Sequence, residues 1–294
     1  MSQAAAVPAR RRGLGWAPYL LVLPSLVFLA VFFAVPMFQA FGLALQSPTG
    51  SGYSLDAMRQ MLSDSAFARA LSTTLLLMVV IVPVQFAVAL GMAMVINARL
   101  KGATLWLYIF ALPLGISELA SGIVWFSIFT EQGWLNSVLQ QLGITHQSIV
   151  FLDYQRPWLV LATIVVAEAW RATAIIMVIL VSGLQGIPRD FLEAADVFGA
   201  GVWQRLRHVV LPLLKPSIRV ALILRTILAL QVFATVVALA GGTTTVLANE
   251  AYRWYYRLRD PRVAAAYASL VLLLSLVSTV VYLVTIRTNE ERLG

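Results

Sequence analysis

Few side chains in this chain could carry covalent or acid–base chemistry, and their spacing excludes most of it. No cysteine is present, which rules out disulfides and thiolate metal sites. His146 and His208 are far apart and show no metal-ligand spacing. The lysines are Lys101 and Lys215, and neither sits in the Gly-x-x-x-x-Gly-Lys-Ser/Thr frame of a phosphate-binding loop. No His–Asp cluster or metal motif of a membrane enzyme is found. What remains are polar groups set in apolar sequence: Glu118, Glu168, Arg171 and Arg225, with Gln39, Gln85 and Gln231. Such groups are costly inside a membrane, so they pair with one another or line a pathway. Glu168 and Arg171 are one helical turn apart. They either hold the helices together or stand beside a cavity. Glu118 has no local partner, and Trp125 and Phe126 follow it by two turns. Gln231 and Phe233 form a second polar–aromatic combination.

The elements that must position these groups are membrane helices. The 294 residues are 60% hydrophobic and 12% charged, whereas soluble domains carry about 25% charge. Six segments have the roughly 20 apolar residues a span needs: 16–45, 71–96, 105–129, 158–181, 211–240 and 263–286. The first is too long for a signal-peptide core and reads as a retained anchor, with Pro24 and Pro36 expected to kink it. The fold class is therefore all-α integral membrane. Arg10, Arg11 and Arg12 place the tail 1–15 in the cytoplasm. Six spans return the tail 287–294 to the same side. This topology puts Arg10, Arg11, Arg12, Arg99, Lys101, Arg189, Arg205, Arg207, Lys215, Arg219, Arg287 and Arg292 inside. Arg59, Arg69, Arg156, Arg253, Arg257, Arg259 and Arg262 fall outside. The net charge of +8 follows from this bias and not from nucleic-acid binding. In the outer loop 131–157, Trp134, Leu135, Val138, Leu139 and Leu142 share one helical face, as in a short helix lying on the membrane surface.

The longest inner loop, 182–210, carries the strongest pattern. Gly183, Gly186 and Pro188 are expected to end the fourth span, and Asp190 followed by Glu193 resembles a capping box. Phe191, Ala195, Phe198, Val202 and Leu206 form one apolar stripe. Gly199 and Gly201 break the middle, which predicts two short helices with a bend. Such a pair can lie on the membrane surface or dock into a groove on a partner.

Glu193-Ala194-Ala195, then Gly199-Ala200, then Val209-Val210-Leu211-Pro212 resemble the EAA loop of ABC-importer permeases in order and spacing. Gly183 to Pro188, Tyr252 and Ala264 to Ala268 are closest to the sugar-transporting, maltose/trehalose-like branch. The likeness in layout runs from Leu71 to Arg287. The chain has Phe198 where the family often has Asp, and Gly241-Gly242-Thr243 where many sugar permeases have Gly-Gly-Pro.

The resemblance implies a permease subunit of a binding-protein-dependent importer in the bacterial plasma membrane. It would be no enzyme itself and would hold no cofactor. ATP and Mg would be bound by a separate ATPase dimer, with a second homologous permease and an extracytoplasmic solute-binding protein as further partners beside membrane lipid. The coupling residues it implies are Phe191, Glu193, Ala194, Ala195, Phe198, Gly199, Ala200, Trp203, Leu206, Leu211 and Pro212. Polar groups beside aromatic rings suit a sugar, which offers hydroxyls at its edges and C–H groups on its faces. Glu118, Trp125, Glu168, Arg171, Gln231 and Phe233 are the expected pathway. Tyr252, Arg253, Arg257 and Arg259 are an expected contact for the binding protein, or an interfacial belt on lipid. Glycerol phosphate and polyamines are the alternative solutes. An ion-coupled carrier is the rival class, and it leaves the EAA-like loop unexplained.

Overall fold

The computed structural model describes residues 16–48, 52–98, 101–153 and 155–286. The tails with Arg10, Arg11, Arg12, Arg287 and Arg292 lie outside the described residues, as does Arg99. The described residues are helical apart from their connections, with one isolated bridge between Gln46 and Tyr53. Among the described residues, four helices are long and apolar enough to cross a membrane, or up to six if each of two bent pairs is one span.

The first helix, α1 (Tyr19–Ala44), contains a π-helical turn at Ala30–Ala34, closed by the Val35 N–H on the Ala30 carbonyl. Pro36 follows at once. Proline cannot donate to the helical ladder and crowds the carbonyl four residues back, so one residue of slack ahead of it keeps the rod continuous. The most apolar stretch of α1 has no buried residue, and only its Val35–Ala44 portion packs on the bundle. A short helix α2 (Asp56–Ser63) leads into α3 (Phe67–Asn97).

The expected continuous span at 105–129 is broken. Helix α4 (Ala103–Ala111) runs into the 3-10 turn Leu112–Gly115, and the next helix leaves at 100°. Ile116 is extended, and Ser117 caps α5 (Glu118–Phe129) by accepting the Ala120 N–H at 3.2 Å. Pro113 and Gly115 explain the break. The short helix α6 (Trp134–Gln141) is pinned by buried Asn136, which donates to the Ile149 carbonyl at 2.9 Å and accepts its N–H at 2.8 Å. The face expected to lie on the membrane is divided, with Leu135 packed inward and Trp134 and Leu142 exposed.

Helix α7 (Pro157–Gln185) is the centre of the bundle. It packs along α3, where Ala89 and Ala93 lie against Ile176, Met177 and Leu180. Small residues let helices approach closely where no hydrophobic force between them exists. Gly183 does not end α7. It lies inside the helix where it crosses α9, and a Cβ there would sit 2.7 Å from Leu214 Cδ1 and 2.6 Å from Ser217 Cβ. Helix α8 (Arg189–Val197) follows.

The second loop helix is not short. It is the head of α9 (Val202–Leu230), which continues into the stretch expected as the fifth span through a π-helical turn at Leu206–Val210, again just ahead of a proline, Pro212. The expected span 211–240 is also bent, by 49°, at residues 231–233 before α10 (Ala234–Ala240). Helix α11 (Leu247–Tyr252) and α12 (Pro261–Thr285) complete the chain. The beginning of α3 meets α11, through Thr74 Oγ1 accepting the Leu247 N–H at 3.0 Å, whereas its end borders the α8 region. At 1.5 Å per residue, the stretch of α3 from Thr74 to Asn97 separates these two contacts by about 35 Å.

Candidate functional site

The groups expected to form the pathway meet in a buried network between helices. Glu168 on α7 accepts Arg225 Nη2 of α9 at 3.0 Å, Arg171 Nη2 at 3.2 Å and Thr235 Oγ1 of α10 at 2.7 Å. Gln85 on α3 donates to the Glu168 carbonyl at 2.6 Å and accepts Arg225 Nε. Glu168, Gln85 and Arg225 are fully buried. A buried charge without a partner costs several kcal/mol, and here one carboxylate is shared by two guanidinium groups. Arg225 Nη1 is buried and has no protein partner among the described residues.

Glu118 has no partner nearby in the chain and finds two across the fold. It opens α5, and its Oε1 accepts the backbone N–H groups of Phe233 at 3.0 Å and Thr235 at 3.3 Å. The bend between α9 and α10 leaves those donors without helical acceptors. In apolar surroundings they need one, and a carboxylate also complements the positive end of α10. Glu118, Arg171, Arg225 and Gln231 line a cavity of about 190 Å³ with Leu114, Ala172, Ile175 and Leu228. Trp125 lies outside it, stacked on Phe129 at 5.3 Å and edge-on to Trp170 at 6.0 Å. Phe233 lines a different cavity, of about 620 Å³, at the α11 end.

At the other end, α8 and the head of α9 form a braced pair. The α8 cap departs from the sequence expectation: the helix starts at Arg189 after Pro188, and Asp190 stands in its first turn without acting as the cap. Gly199 has φ +73°, a left-handed turn that side chains resist, and the Gly199 and Ala200 N–H groups satisfy the carbonyls of Asp196 and Ala195. Gln204 reaches back to accept the Gly201 N–H at 3.0 Å. Arg205 grips both oxygens of Asp196, at 2.7 and 3.1 Å, tying the two helices together.

The expected stripe divides in two. Ala195 and Leu206 are buried, whereas Phe198 is 89% exposed, and Phe191, Val197, Val202 and Trp203 are exposed with it. Glu193, Ala194 and Gly199 are exposed, while Ala200, Leu211 and Pro212 are half-buried. Glu193 lines a cleft of about 320 Å³ with Arg189, Asp196, Arg205 and the ends of α3 and α7.

The far end is organised by Asp64, between α2 and α3. Its Oδ2 accepts Arg253, the Trp254 indole N–H at 2.8 Å and the Tyr267 hydroxyl at 3.2 Å, and its Oδ1 accepts the Ala66 N–H at 3.0 Å. Burial raises the Asp64 pKa, but these donors outweigh it and hold the carboxyl below its ordinary value. Arg253 also pairs with Glu250, so its guanidinium is held between two carboxylates of the chain. Arg257 and Arg259 are exposed, as is Tyr252. Asp260 caps α12 and chelates Arg262 through Nη2 at 2.8 Å. Burial raises its pKa as well, and the hydrogen bonds from Arg262 more than offset this.

Sequence reasoning missed Asp64, Thr235 and Asn249 as site residues and did not join Arg225 and Gln85 to Glu168. No local signal could have joined them. Arg225 is 57 residues from Glu168 and 140 from Gln85, and Arg253 is 189 from Asp64. The available hint was generic: a buried arginine in a span demands an acid somewhere.

Residues 65–287 match the family described as binding-protein-dependent transport system inner membrane component. The chain is 33% identical over 275 residues to the trehalose/maltose transport system permease protein MalF of Thermococcus litoralis, covering 90% of this chain and 92% of that protein. It is 33% identical over 289 residues to the sulfoquinovosyl glycerol transport system permease protein SmoG of Agrobacterium fabrum, covering 92% of this chain and 90% of that one. Its fold matches a chain in the crystal structure of a bacterial ABC transporter involved in the import of the acidic polysaccharide alginate, with a TM-score of 0.77, 22% identity, and coverage of 92% of this chain and 95% of that one. The match spans both bent helix pairs, the buried network and the braced loop, and it places the chain among the multi-pass inner membrane components of binding-protein-dependent transport systems.

Proposed function

We propose that this chain is a permease subunit of a binding-protein-dependent ABC importer that carries a sugar across the bacterial plasma membrane. The observation that carries this reading is the exposed apolar cluster of Phe191, Val197, Phe198, Val202 and Trp203 on the braced pair, within the EAA-like motif of a chain belonging to the family. Large apolar side chains on an otherwise charged loop are what a partner groove would take. Glu193 beside them can pair with cationic groups on that partner.

In this reading the loop faces the cytoplasm, six spans bring both termini there, and the outer end is that of α11. A separate ATPase dimer binds ATP and Mg and docks on the loop, and a second, related permease completes the membrane unit. The chain then supplies transport and no catalysis. Because α9 is helical from Val202 to Leu230, a push on its head reaches the bend at 231–233 through a stiff rod about 44 Å long. The bend adjoins both the buried network and the cavities, so the push acts where solute would pass. Glu118, Arg171 and Gln231 line the inner cavity and Phe233 the outer one. Arg257 and Arg259 are the outer cations left to meet the binding protein.

The test is reconstitution with the neighbouring ATPase, permease and binding protein in proteoliposomes. Uptake of labelled trehalose or maltose should require ATP and the binding protein, and Phe198→Ser with Trp203→Ser should abolish it. ATP-independent uptake by this chain alone would falsify the importer reading.

A further inference from the structure

The 620 Å³ cavity at the α11 end is of a size that takes a small organic ligand, within the usual range of about 300–1,000 Å³. Its wall is unlike the rest of the bundle. Phe233 and Tyr252 line it with ring centroids 5.3 Å apart, and from Tyr252 the rings continue outward to Tyr256 at 4.6 Å and from there to Tyr255 at 4.9 Å. Four rings thus form an unbroken run from the cavity to the surface, where Tyr252, Tyr255 and Tyr256 are all exposed. The same cavity is also lined by Thr244, Thr245, Asn249 and Arg257. The Asn249 carboxamide oxygen is buried and has no hydrogen-bond partner among the described residues. Buried polar atoms in folded proteins are satisfied by protein, water or ligand.

From this arrangement we infer that the outer cavity is a solute-binding site for pyranose rings, separate from the 190 Å³ cavity at the buried network. It rests on the sugar-importer reading and adds a first station to it. A sugar's C–H face lies on Tyr252 and Phe233. Its hydroxyls donate to Asn249 Oδ1 and exchange hydrogen bonds with Thr244 and Arg257. Tyr256 and Tyr255 offer further rings to a second sugar unit, so the site favours disaccharides over monosaccharides. Glu250 does not contribute a free charge, because Thr245 and Arg253 already occupy its carboxylate.

The test uses the complete transporter in lipid nanodiscs without its binding protein. Saturation-transfer NMR is run with a panel of mono- and disaccharides that includes trehalose and maltose. Ring protons of a disaccharide should be saturated, and Tyr252→Leu and Asn249→Leu should each weaken binding roughly tenfold. Tyr252→Phe, which keeps the ring, should bind as wild type, and the affinity of the complex for its binding protein should be unchanged throughout. Saturation that ignores both leucine variants overturns the site. So does a loss of binding-protein affinity with unchanged saturation, which would assign the aromatic run to protein docking. ATP-driven uptake of the same panel by the wild type is measured in parallel. Uptake with insensitive variants overturns the site alone, and absent uptake overturns the sugar reading beneath it.

Discussion

Arg225 is the largest of the fully buried side chains, and its charge is tolerable only because Glu168 and Gln85 face it. Removing one member of a buried pair typically costs about 3–5 kcal/mol, since the other is left uncompensated, whereas replacing both by apolar groups can be close to neutral. Arg225→Met should therefore lower the thermal midpoint of the purified protein strongly, and Glu168→Leu with Arg225→Met should recover much of the loss. Arg171, part-exposed to the cavity, can stay hydrated in that double variant. Equal midpoints for single and double variants would show that the pair does not act as a unit. Asp64 makes a second expectation, in pH. Its folded-state pKa lies below the ordinary aspartate value of 3.8, so the folded form binds fewer protons than the unfolded chain in that range. The stability it contributes is fully present above about pH 4 and is lost as pH falls through the lower folded value. Asp64→Asn should reduce stability at neutral pH and flatten the acid limb below pH 4 in a chemical denaturation series.

At the scale of elements, the loop pair is built to present side chains it does not itself need. Phe198 and Trp203 are exposed, so truncating them should change the folding free energy by no more than about 0.5 kcal/mol. As central apolar anchors of an interface they should each contribute about 1–2 kcal/mol to docking, which corresponds to roughly five- to thirtyfold weaker binding of the ATPase. Titrating ATPase onto nanodisc-embedded variants measures this directly, and unchanged affinity would remove the loop from the interface. This element was legible in the sequence because its signals are local: an amphipathic period, two glycines and a motif within some thirty residues. The spans were legible as apolar runs for the same reason. The breaks in them were not, because hydropathy is blind to direction. Pro113 and Gly115 marked one break, and nothing short-range marked residues 231–233. The second loop helix was misjudged as short because the π-helical turn at 206–210 lets α9 pass Pro212 without ending.

The whole molecule places its two bent helix pairs against each other, and Glu118 hydrogen-bonds one to the other. One carboxylate oxygen at the start of α5 holds the two N–H groups that begin α10. Thr235, one of those two residues, also donates to Glu168, which pairs with Arg225 on α9. The bend at 231–233 is thus clasped on both sides, and the rod that reaches it begins at the loop. Under the proposed coupling, a push at the loop moves α10 only if the clasp keeps α10 attached to α5 and α7. Removing the acceptor leaves two backbone donors unsatisfied, at about 1–3 kcal/mol each, and frees α10 from the motion of its neighbours. Glu118→Ala should therefore leave ATP hydrolysis by the reconstituted complex near normal while the solute moved per ATP falls about tenfold. Glu118→Gln keeps an oxygen in place and should retain most of the coupling. If Glu118→Ala transports with an unchanged ratio of solute to ATP, the bend is passive and the force from the loop reaches the solute by another route. If Glu118→Gln fails as badly as alanine, the charge on the carboxylate is what holds α10, and not its hydrogen bonds.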